Sequence, residues 1–588
     1  MMIKNIKNML IAGLVGCGGA ALLTSCSDSF LDQAPDERVE IKDVKQVRML
    51  LGTAYSTSNY HWLCEMSSDN IVDINATFMA TQSNGNEIPV RFNLTSYDRM
   101  DDELYCFEPV KSSTGSDSPS DVWESFYKAI AVANHAIAIL DKLKASGVAE
   151  DNEMRYAYAE AYLTRAYHHF ILLNIFSQAY KNDQASRSDL GIPYVTSPED
   201  KVSVNYDRST VTDTYKKIEE DLIRGLEFAD DISFELPKWH FNANAAHAFA
   251  ARFYLYKRQY DKVIQHANFV LGSNDESGRA GLSAMLMNMV GFDDATTLVD
   301  RTEIWQGPKE PNNLLLRTTY SRQWRRSVGY RYAYAGKALR DSYYHLGPNW
   351  NYYCMRAAAV ADKFYWDGNS DHGYKSCRIG ERFEYTDKVA NIGYAHVITR
   401  DFTCNELLLE RAEAELFLND IAGCEADLIA YENIGRQSFS EATMSQYKGA
   451  LFPLTHDDII DWYDPAVAGN MAHSNTLANW DFTQNMSSDF VVSAQAAIYM
   501  NCLNDMRRYE TAWQGRRVFD LKRWGMEYSH IYGSDNVEIK LAWNDPRRAL
   551  EIPQEVILAG MEPSQPIVND GNGETGNETA ADFGYTIK

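Results

Sequence analysis

Two long stretches of the chain, 59–120 and 273–399, combine aromatic rings with amide, carboxylate and guanidinium side chains. These residue types suit sugar binding, because the apolar face of a pyranose stacks on a ring while polar side chains bond its hydroxyl groups. The chain has 36 Tyr, 24 Phe and 12 Trp, so most of its rings must belong to the core. The candidate ligand-binding aromatic residues in the two stretches are Tyr60, Trp62, Tyr105, Phe107, Trp305, Tyr320, Trp324, Tyr330, Trp350, Tyr352 and Trp366.

Catalytic and metal-binding patterns are weak by comparison. The sequence contains none of the motifs GxSxG, HExxH or GxxxxGK[ST]. His168 and His169 are adjacent, so on a helix their rings point to different faces, and His240 and His247 lie seven residues apart near a predicted helix start. Packing or capping is the favoured role for all four. We therefore expect no enzyme, no cofactor and no metal site.

Paired carboxylates offer an alternative, because glycosidases use two of them. Such pairs occur at Glu219-Glu220, Asp230-Asp231 and Asp457-Asp458. All three fall in predicted helices or turns of a very acidic chain, which favours a solvated surface. A surface glycosidase thus remains the alternative from the enzyme class, and a scaffold that only bridges proteins is a third hypothesis.

The N-terminus has the pattern of an export signal with a lipid anchor. Lys4 and Lys7 precede an uncharged segment, 9–23, that is shorter and less apolar than a typical transmembrane helix. Leu-Thr-Ser-Cys at 23–26 resembles a bacterial lipobox, which predicts a signal peptide over 1–25 and lipidation of Cys26. The alternative is an ordinary signal peptide with an incidental cysteine. A lipidated chain would be held stably at a membrane surface.

Composition limits the partners and the redox chemistry. The chain has 588 residues and a formal charge of −25, which disfavours nucleic acid and anionic membranes and favours neutral or cationic ligands. Beyond the signal and Cys26 an odd number of cysteines is scattered without a CxxC pair. We interpret them mainly as buried small hydrophobic residues. They are Cys64, Cys106, Cys354, Cys377, Cys404, Cys424 and Cys502.

Apolar residues at spacings of three and four predict a mainly α-helical protein. Two of the segments, Asn242–Leu271 and Asn405–Ile434, each read as a pair of helices with small residues at the crossing and a polar turn, which is the tetratricopeptide arrangement. The other predicted helical segments are Asp121–Leu143, Glu153–Phe176, Ser209–Ala229 and Gln495–Trp524. This organisation predicts a helical scaffold over 121–272 and 400–525, with long irregular inserts over 59–120 and 273–399.

The most charged motif is RRYETAWQGRRVFDLKRW at 507–524. Its cations alternate with Glu510 and Asp520 at helical spacing. This pattern favours an ion-pair lattice that holds late helices to the scaffold, and an anion-binding site is the alternative. The cations are Arg507, Arg508, Arg516, Arg517, Lys522 and Arg523.

The order of motifs along the chain resembles the SusD/RagB family of surface lipoproteins. Each motif is weak alone, but the ordered set is specific and covers nearly the whole of 26–588. After the lipobox the motifs are FLDQAP (30–35), VWESFYKAIAVAN (122–134), AEAYLTRAYHHFIL (159–172), GIPYVT (191–196), RSTVTDTYKKIEEDL (208–222), AARFYLYKRQYDKVIQHANFVL (250–271), ELLLERAEAEL (406–416), RRYETAWQGRRVFDLKRWG (507–525) and EIPQEVI (551–557).

The resemblance implies a mainly α fold in which tetratricopeptide-like helix pairs form a scaffold and the inserts form a ligand-binding face. It also implies a non-enzymatic function: capture of a nutrient oligosaccharide at the outer-membrane surface and delivery to a SusC-like TonB-dependent transporter. A peptide ligand is the alternative within the same uptake type. The segment LAGMEPSQPIVNDGNG at 558–573 departs from the closing Asn, Gln and Pro-Gly motif that is usual in the family.

Overall fold

The helices arise where apolar spacing and capping side chains agree. In this computed structural model the described residues are 41–81, 86–199, 206–229, 234–287, 297–334, 361–363, 374–436, 453–467, 481–482, 492–564, 567–569 and 575–577. Their α-helices are α1 (Val44–Leu51), α2 (His61–Met66), α3 (Arg99–Tyr105), α4 (Pro119–Ala145), α5 (Asn152–Phe176), α6 (Val211–Glu227), α7 (Ala243–Tyr256), α8 (Tyr260–Leu271), α9 (Glu276–Arg279), α10 (Leu298–Trp305), α11 (Gln323–Arg326), α12 (Cys404–Phe417), α13 (Ile421–Arg436), α14 (His456–Tyr463), α15 (Ala494–Thr511), α16 (Arg517–Arg523) and α17 (Gln554–Leu558).

Short polar side chains begin the long helices. The Ser118 hydroxyl accepts the N–H of Asp121 at the start of α4, where Pro119 occupies the first helical position. The Asn242 side chain accepts the N–H of Ala245 at the start of α7. These caps satisfy backbone donors that a helix leaves without partners, so the predicted helices begin close to where the sequence placed them.

The predicted helix pairs are confirmed, and the two pairs have turns of the same type. α7 packs against α8, and α12 packs against α13. The turns contain Arg258 with φ of 59° and Asn419 with φ of 64°. In each turn the residue that follows donates its backbone N–H to a carbonyl five residues earlier. Gln259 donates to the Tyr254 carbonyl, and Asp420 donates to the Glu415 carbonyl. The two pairs are therefore repeats of one supersecondary unit.

Helix α5 is the centre of the first half of the scaffold. It packs along both α4 and α6. A β-carbon on Gly225 of α6 would lie 2.5 Å from the side chain of Leu163 of α5, so the glycine permits the close approach. Ala245, Ala248 and Ala251 of α7 are buried, as the small-residue pattern predicts. The fold is mainly helical, as predicted, and from Asp43 onward the chain forms one compact unit.

Short strands occur in the inserts, which the sequence predicted to be irregular, and also after α16. β4, β9 and β8 form an antiparallel sheet, and two-stranded antiparallel sheets pair β1 with β5, β2 with β3, β6 with β7, β10 with β11 and β12 with β13. The strands are β1 (Val72–Asp73), β2 (Phe78–Thr81), β3 (Glu87–Val90), β4 (Asn313–Thr319), β5 (Tyr332–Ala333), β6 (Ala361–Lys363), β7 (Tyr374–Ser376), β8 (Arg382–Asp387), β9 (Ile392–Thr403), β10 (Tyr528–Tyr532), β11 (Val537–Leu541), β12 (Ile567–Asn569) and β13 (Thr575–Asn577).

Candidate ligand-binding face

The two inserts meet in one layer, which we name the insert face: the described residues of 59–120 and 297–399. Val72 pairs with Ala333 and Asp73 with Tyr332, so β1 of the first insert and β5 of the second form one sheet. The backbone N–H of Arg331 also donates to the Thr95 carbonyl at 3.0 Å. The segments brought together are separated by more than 200 residues, so their union is tertiary rather than local.

A buried arginine of the second insert forms ion pairs with aspartates of the first. The Arg326 guanidinium lies 2.8 Å from a carboxylate oxygen of Asp98, 2.9 Å from Asp101 and 3.6 Å from Asp117. Burial raises the pKa of Asp101 and that of Asp117 to about 6, because each carboxylate loses its hydration. The Trp62 indole N–H donates to Asp101 at 2.8 Å. Trp62 is thus part of the support for this cluster.

A second arginine makes a similar connection nearer the surface. Arg331 bonds both carboxylate oxygens of Asp73, at 2.9 and 2.6 Å. It also lies 3.1 Å from Asp102, which accepts the hydroxyl of Tyr332 at 2.6 Å. In this part of the insert face, the charged side chains therefore form ion pairs with one another.

Five of the predicted ligand-binding rings are core residues, which corrects the sequence-based prediction. Tyr60, Trp62, Tyr105, Phe107 and Trp305 have exposures of 0 to 3 %. The Tyr105 hydroxyl bonds the Asp73 N–H and the Ile531 carbonyl. The rings of Tyr105 and Phe107 both stack on the His530 imidazole, at 4.2 and 4.5 Å, while Trp305 lies 3.6 Å from the Arg400 guanidinium. A ligand could reach none of them without unpacking the core.

Three predicted rings lie at the surface of the insert face. Tyr320 is 41 % exposed, and Trp324 and Tyr330 are half-buried. The Lys375 ammonium lies 4.8 Å above the Trp324 ring, a cation–π contact, and burial lowers the pKa of this lysine. The remaining predicted rings, those of Trp350, Tyr352 and Trp366, lie outside the described residues.

Polar residues flank Trp324 in the sequence. The neighbouring Arg325 is exposed and holds both carboxylate oxygens of Glu381 at 2.9 to 3.1 Å. The Gln323 side chain turns inward and donates to the Trp513 carbonyl at 3.0 Å. Tyr330 contacts Tyr97 edge-to-face at 5.0 Å. A flat indole beside fixed donors and acceptors has the composition that sugar stacking uses.

Sequence reasoning missed the aromatic hairpin formed by β8 and β9. Phe383, Tyr385 and Tyr394 are 50, 48 and 38 % exposed. Phe383 and Tyr385 alternate along β8 and share one face, while Tyr394 is on the other face, 5.8 Å from the Tyr320 ring. Gly393 lies beneath Phe383, and a β-carbon there would be 2.7 Å from that ring. The alternation in RFEYTD was the signal that could have revealed them.

The histidines singled out in the sequence pack or cap. The Nε2 atoms of His168 and His169 accept the backbone N–H groups of Ser56 and Val195, at 3.0 and 3.1 Å. Burial lowers the pKa of His168 to about 3, so its imidazole is neutral. His240 lies 2.7 Å from Glu160. Among the described residues, no three His, Cys, Asp or Glu side chains gather in a way that would hold a metal ion.

The five arginines of 507–524 form the predicted ion-pair lattice. Each lies within ion-pair distance of a carboxylate and is buried. The pairs are Arg507 with Asp520, Arg508 with Asp69, Arg516 with Glu406, Arg517 with Asp69, and Arg523 with Glu413 and Asp520. Five of the six cysteines within the described part of the chain are buried, as the sequence-based interpretation expects, and Cys106 is half-buried.

Residues 29–255 match the family model SusD-like_3, described as starch-binding and associating with the outer membrane. No curated protein matches the sequence significantly. Three solved structures of the SusD superfamily have similar folds. The one from Bacteroides thetaiotaomicron has 16 % identity and a TM-score of 0.57, with 89 % of this chain and all of the other covered.

The other two are from Bacteroides vulgatus and Bacteroides fragilis. The first has 15 % identity, a TM-score of 0.54 and coverage of 89 % of this chain and 99 % of its own. The second has 17 % identity, a TM-score of 0.51 and coverage of 88 and 97 %. No helix within the described residues is long and apolar enough to cross a bilayer. The predicted resemblance to the SusD/RagB family is confirmed: residues 29–255 match a SusD-like family model, and the fold over about nine-tenths of the chain is similar to that of a solved SusD superfamily protein.

Proposed function

We propose that this chain captures a nutrient glycan on the insert face without cleaving it. The observation that carries the proposal is the Trp324 site, a half-buried indole in contact with the Lys375 ammonium and next in sequence to Arg325, which pairs with Glu381. Tyr330, Tyr320 and Tyr394 are further rings of the insert face that reach its surface. The starch-binding description of the family that matches 29–255 supports a carbohydrate ligand.

Binding should depend on Trp324 and not on tryptophan content in general. Stacking of a flat ring on an aromatic side chain contributes about 1–3 kcal/mol, so Trp324→Ala should weaken glycan binding about tenfold. The matched control is Trp239→Ala, which removes another half-buried indole, from within the scaffold range 121–272. Calorimetric titration of the mature chain, with Cys26 replaced by Ala, against a panel of host and dietary glycans would measure both.

The same incubation separates the rival functions. Retained glycan without new reducing ends supports a binder, whereas release of reducing ends at enzyme-like rates would support the glycosidase. Retention of peptides alone would favour the peptide-binding alternative. Retention of neither class would leave the bridging scaffold and remove our proposal.

Delivery and anchoring complete the proposed function. We place the chain at the outer-membrane surface, lipidated at Cys26, where it would pass its ligand to a SusC-like TonB-dependent transporter. The outer-membrane association in the description of the family supports this location. Residues 1–40, which include the signal peptide and Cys26, lie outside the described residues. Cys26→Ala should abolish labelling of the membrane-bound protein by a fatty-acid probe, and unchanged labelling would exclude lipidation there.

A further inference from the structure

A cavity of about 570 Å³ lies away from the insert face, where the chain leaves α5 and meets α16 and the segments around 543–549 and 562–564. Its wall is rich in cations, although the chain as a whole carries a formal charge of −25. Two of these cations are balanced locally. Lys181 lies 3.0 Å from Asp189, and Arg523 pairs with Glu413 and Asp520.

Lys522 and Arg208 face the same cavity and have no carboxylate within ion-pair distance among the described residues. The Lys522 ammonium donates to the carbonyls of Asn174 and Ser177, at 2.7 and 2.6 Å. Arg208 donates only to backbone carbonyls and to the Ser564 hydroxyl, at 2.6 to 3.1 Å. Neutral acceptors orient these cations but do not cancel their charge.

Lys522 is the exception within its own motif. The five arginines of 507–524 reach carboxylates, whereas Lys522, only 8 % exposed, does not. Burial lowers the pKa of Lys522 to about 7 and also lowers that of Arg208. The carboxylates of Glu551 and Glu562 act on Arg208 only from beyond ion-pair distance and offset part of the effect of its burial. Burying a cation without a direct ion pair is unfavourable, so two such cations on one cavity wall leave a site that a bound anion would complete.

The cavity wall also carries groups that suit a sugar. The Trp543 ring is 38 % exposed and lies next to Asn544, and both line the cavity. We propose that this cavity binds the acidic substituent of a glycan, a carboxylate or a sulfate ester, with Lys522 and Arg208 as its counter-charges; the identity of the ligand as a glycan rests on the proposed function. The acidic surface of the chain disfavours polyanions, so the ligand is a largely neutral glycan with isolated acidic groups.

Matched probes test the charge requirement. One pair is a xylo-oligosaccharide with and without one glucuronic acid branch, and the other is a galacto-oligosaccharide with and without one sulfate ester. We expect the acidic member of at least one pair to bind about tenfold more tightly at low ionic strength, and this preference to fall at high ionic strength. The pair that shows the preference identifies the acidic group.

Matched variants test the location. Ala179 lines the cavity and is half-buried. Ala179→Glu would place a tethered carboxylate next to the cations and should remove the preference for acidic probes. Ala179→Gln has the same size without the charge and should keep that preference. Lys522→Met should also reduce it about tenfold; if that variant does not fold, the Ala179 pair carries the test.

The outcomes separate this inference from the proposed function. Equal binding of acidic and neutral probes, with the Ala179 variants alike, would overturn the acidic site and leave glycan capture intact. If no glycan binds, the proposal of glycan capture fails. A thermal-shift assay with inorganic sulfate then tests whether the cavity binds an anion. Stabilisation of Ala179→Gln but not of Ala179→Glu would support an anion site, and no stabilisation of either would overturn that as well.

Discussion

Replacing Arg326 by Met should destabilise the protein strongly at neutral pH. Arg326 and its partners Asp101 and Asp117 are all buried to 2 % exposure or less. The variant would retain the volume of the side chain but leave two buried carboxylates without their counter-charge. Removing one partner of a buried ion pair costs about 3–5 kcal/mol, and we expect a loss of unfolding free energy in that range.

The neighbouring Arg325 provides a matched control. Its side chain is 55 % exposed, and its pair with Glu381 is screened by water. Arg325→Met should therefore change the unfolding free energy by no more than about 1 kcal/mol. Urea unfolding followed by circular dichroism would measure both variants against the wild type. A similarly small loss of unfolding free energy in both variants would contradict the role of Arg326 in joining the inserts by ion pairs.

The pH dependence gives the prediction a second test. The pKa of Asp101 and that of Asp117 are about 6 in the folded protein, above the unfolded value of about 3.9. Both carboxyl groups therefore take up protons as the pH falls through 6, and without Arg326 they would do so at higher pH still. The deficit of Arg326→Met should shrink between about pH 7 and about pH 5. A deficit that stays constant over this range would refute the electrostatic account.

Two further predictions concern the scaffold. Ala251→Leu should overpack the crossing of α7, where Ala251 is fully buried, at a cost of about 1–3 kcal/mol, and it should lower the melting temperature while leaving the affinity of the folded protein for glycan unchanged. Burial, and then Asp427, raises the pKa of Glu415 to about 8, so stability contributed by its protonated form is lost as the pH rises from about 4.3 towards 8. Glu415→Gln should accordingly raise the melting temperature more at alkaline than at acidic pH, and equal effects at both would contradict the assignment.

The helical scaffold could be predicted because its signals are local. The segment predicted at 121–143 falls within α4, whose ends are set by Ser118 and Pro119 at one end and a short Gly-containing break at the other. The helix pairs followed from small residues and polar turns that lie within 30 residues of one another. Local spacing contains this information, so a single sequence was sufficient.

The candidate site was harder to predict, since burial of an aromatic ring depends on distant partners. Trp62 is buried, and its indole N–H bonds Asp101, which pairs with Arg326, 225 residues after Asp101 in the chain. Composition alone gives Trp62 and Trp324 the same aromatic and polar surroundings. Only the packing of the two inserts decides that the first indole is core and the second reaches solvent.

The fastening of the inserts also has a consequence for how new ligand preferences could arise. Arg326 and Arg331 belong to the second insert, and their carboxylates Asp101, Asp102 and Asp73 belong to the first. A recombination event, or a graft made in the laboratory, that replaced one insert of this chain alone would leave buried charges of the retained insert without their partners. The two inserts are therefore expected to be exchanged together, although their paired residues lie more than 200 positions apart in the sequence. Chimaeras of this chain with proteins of the same fold should be built by exchanging both inserts together.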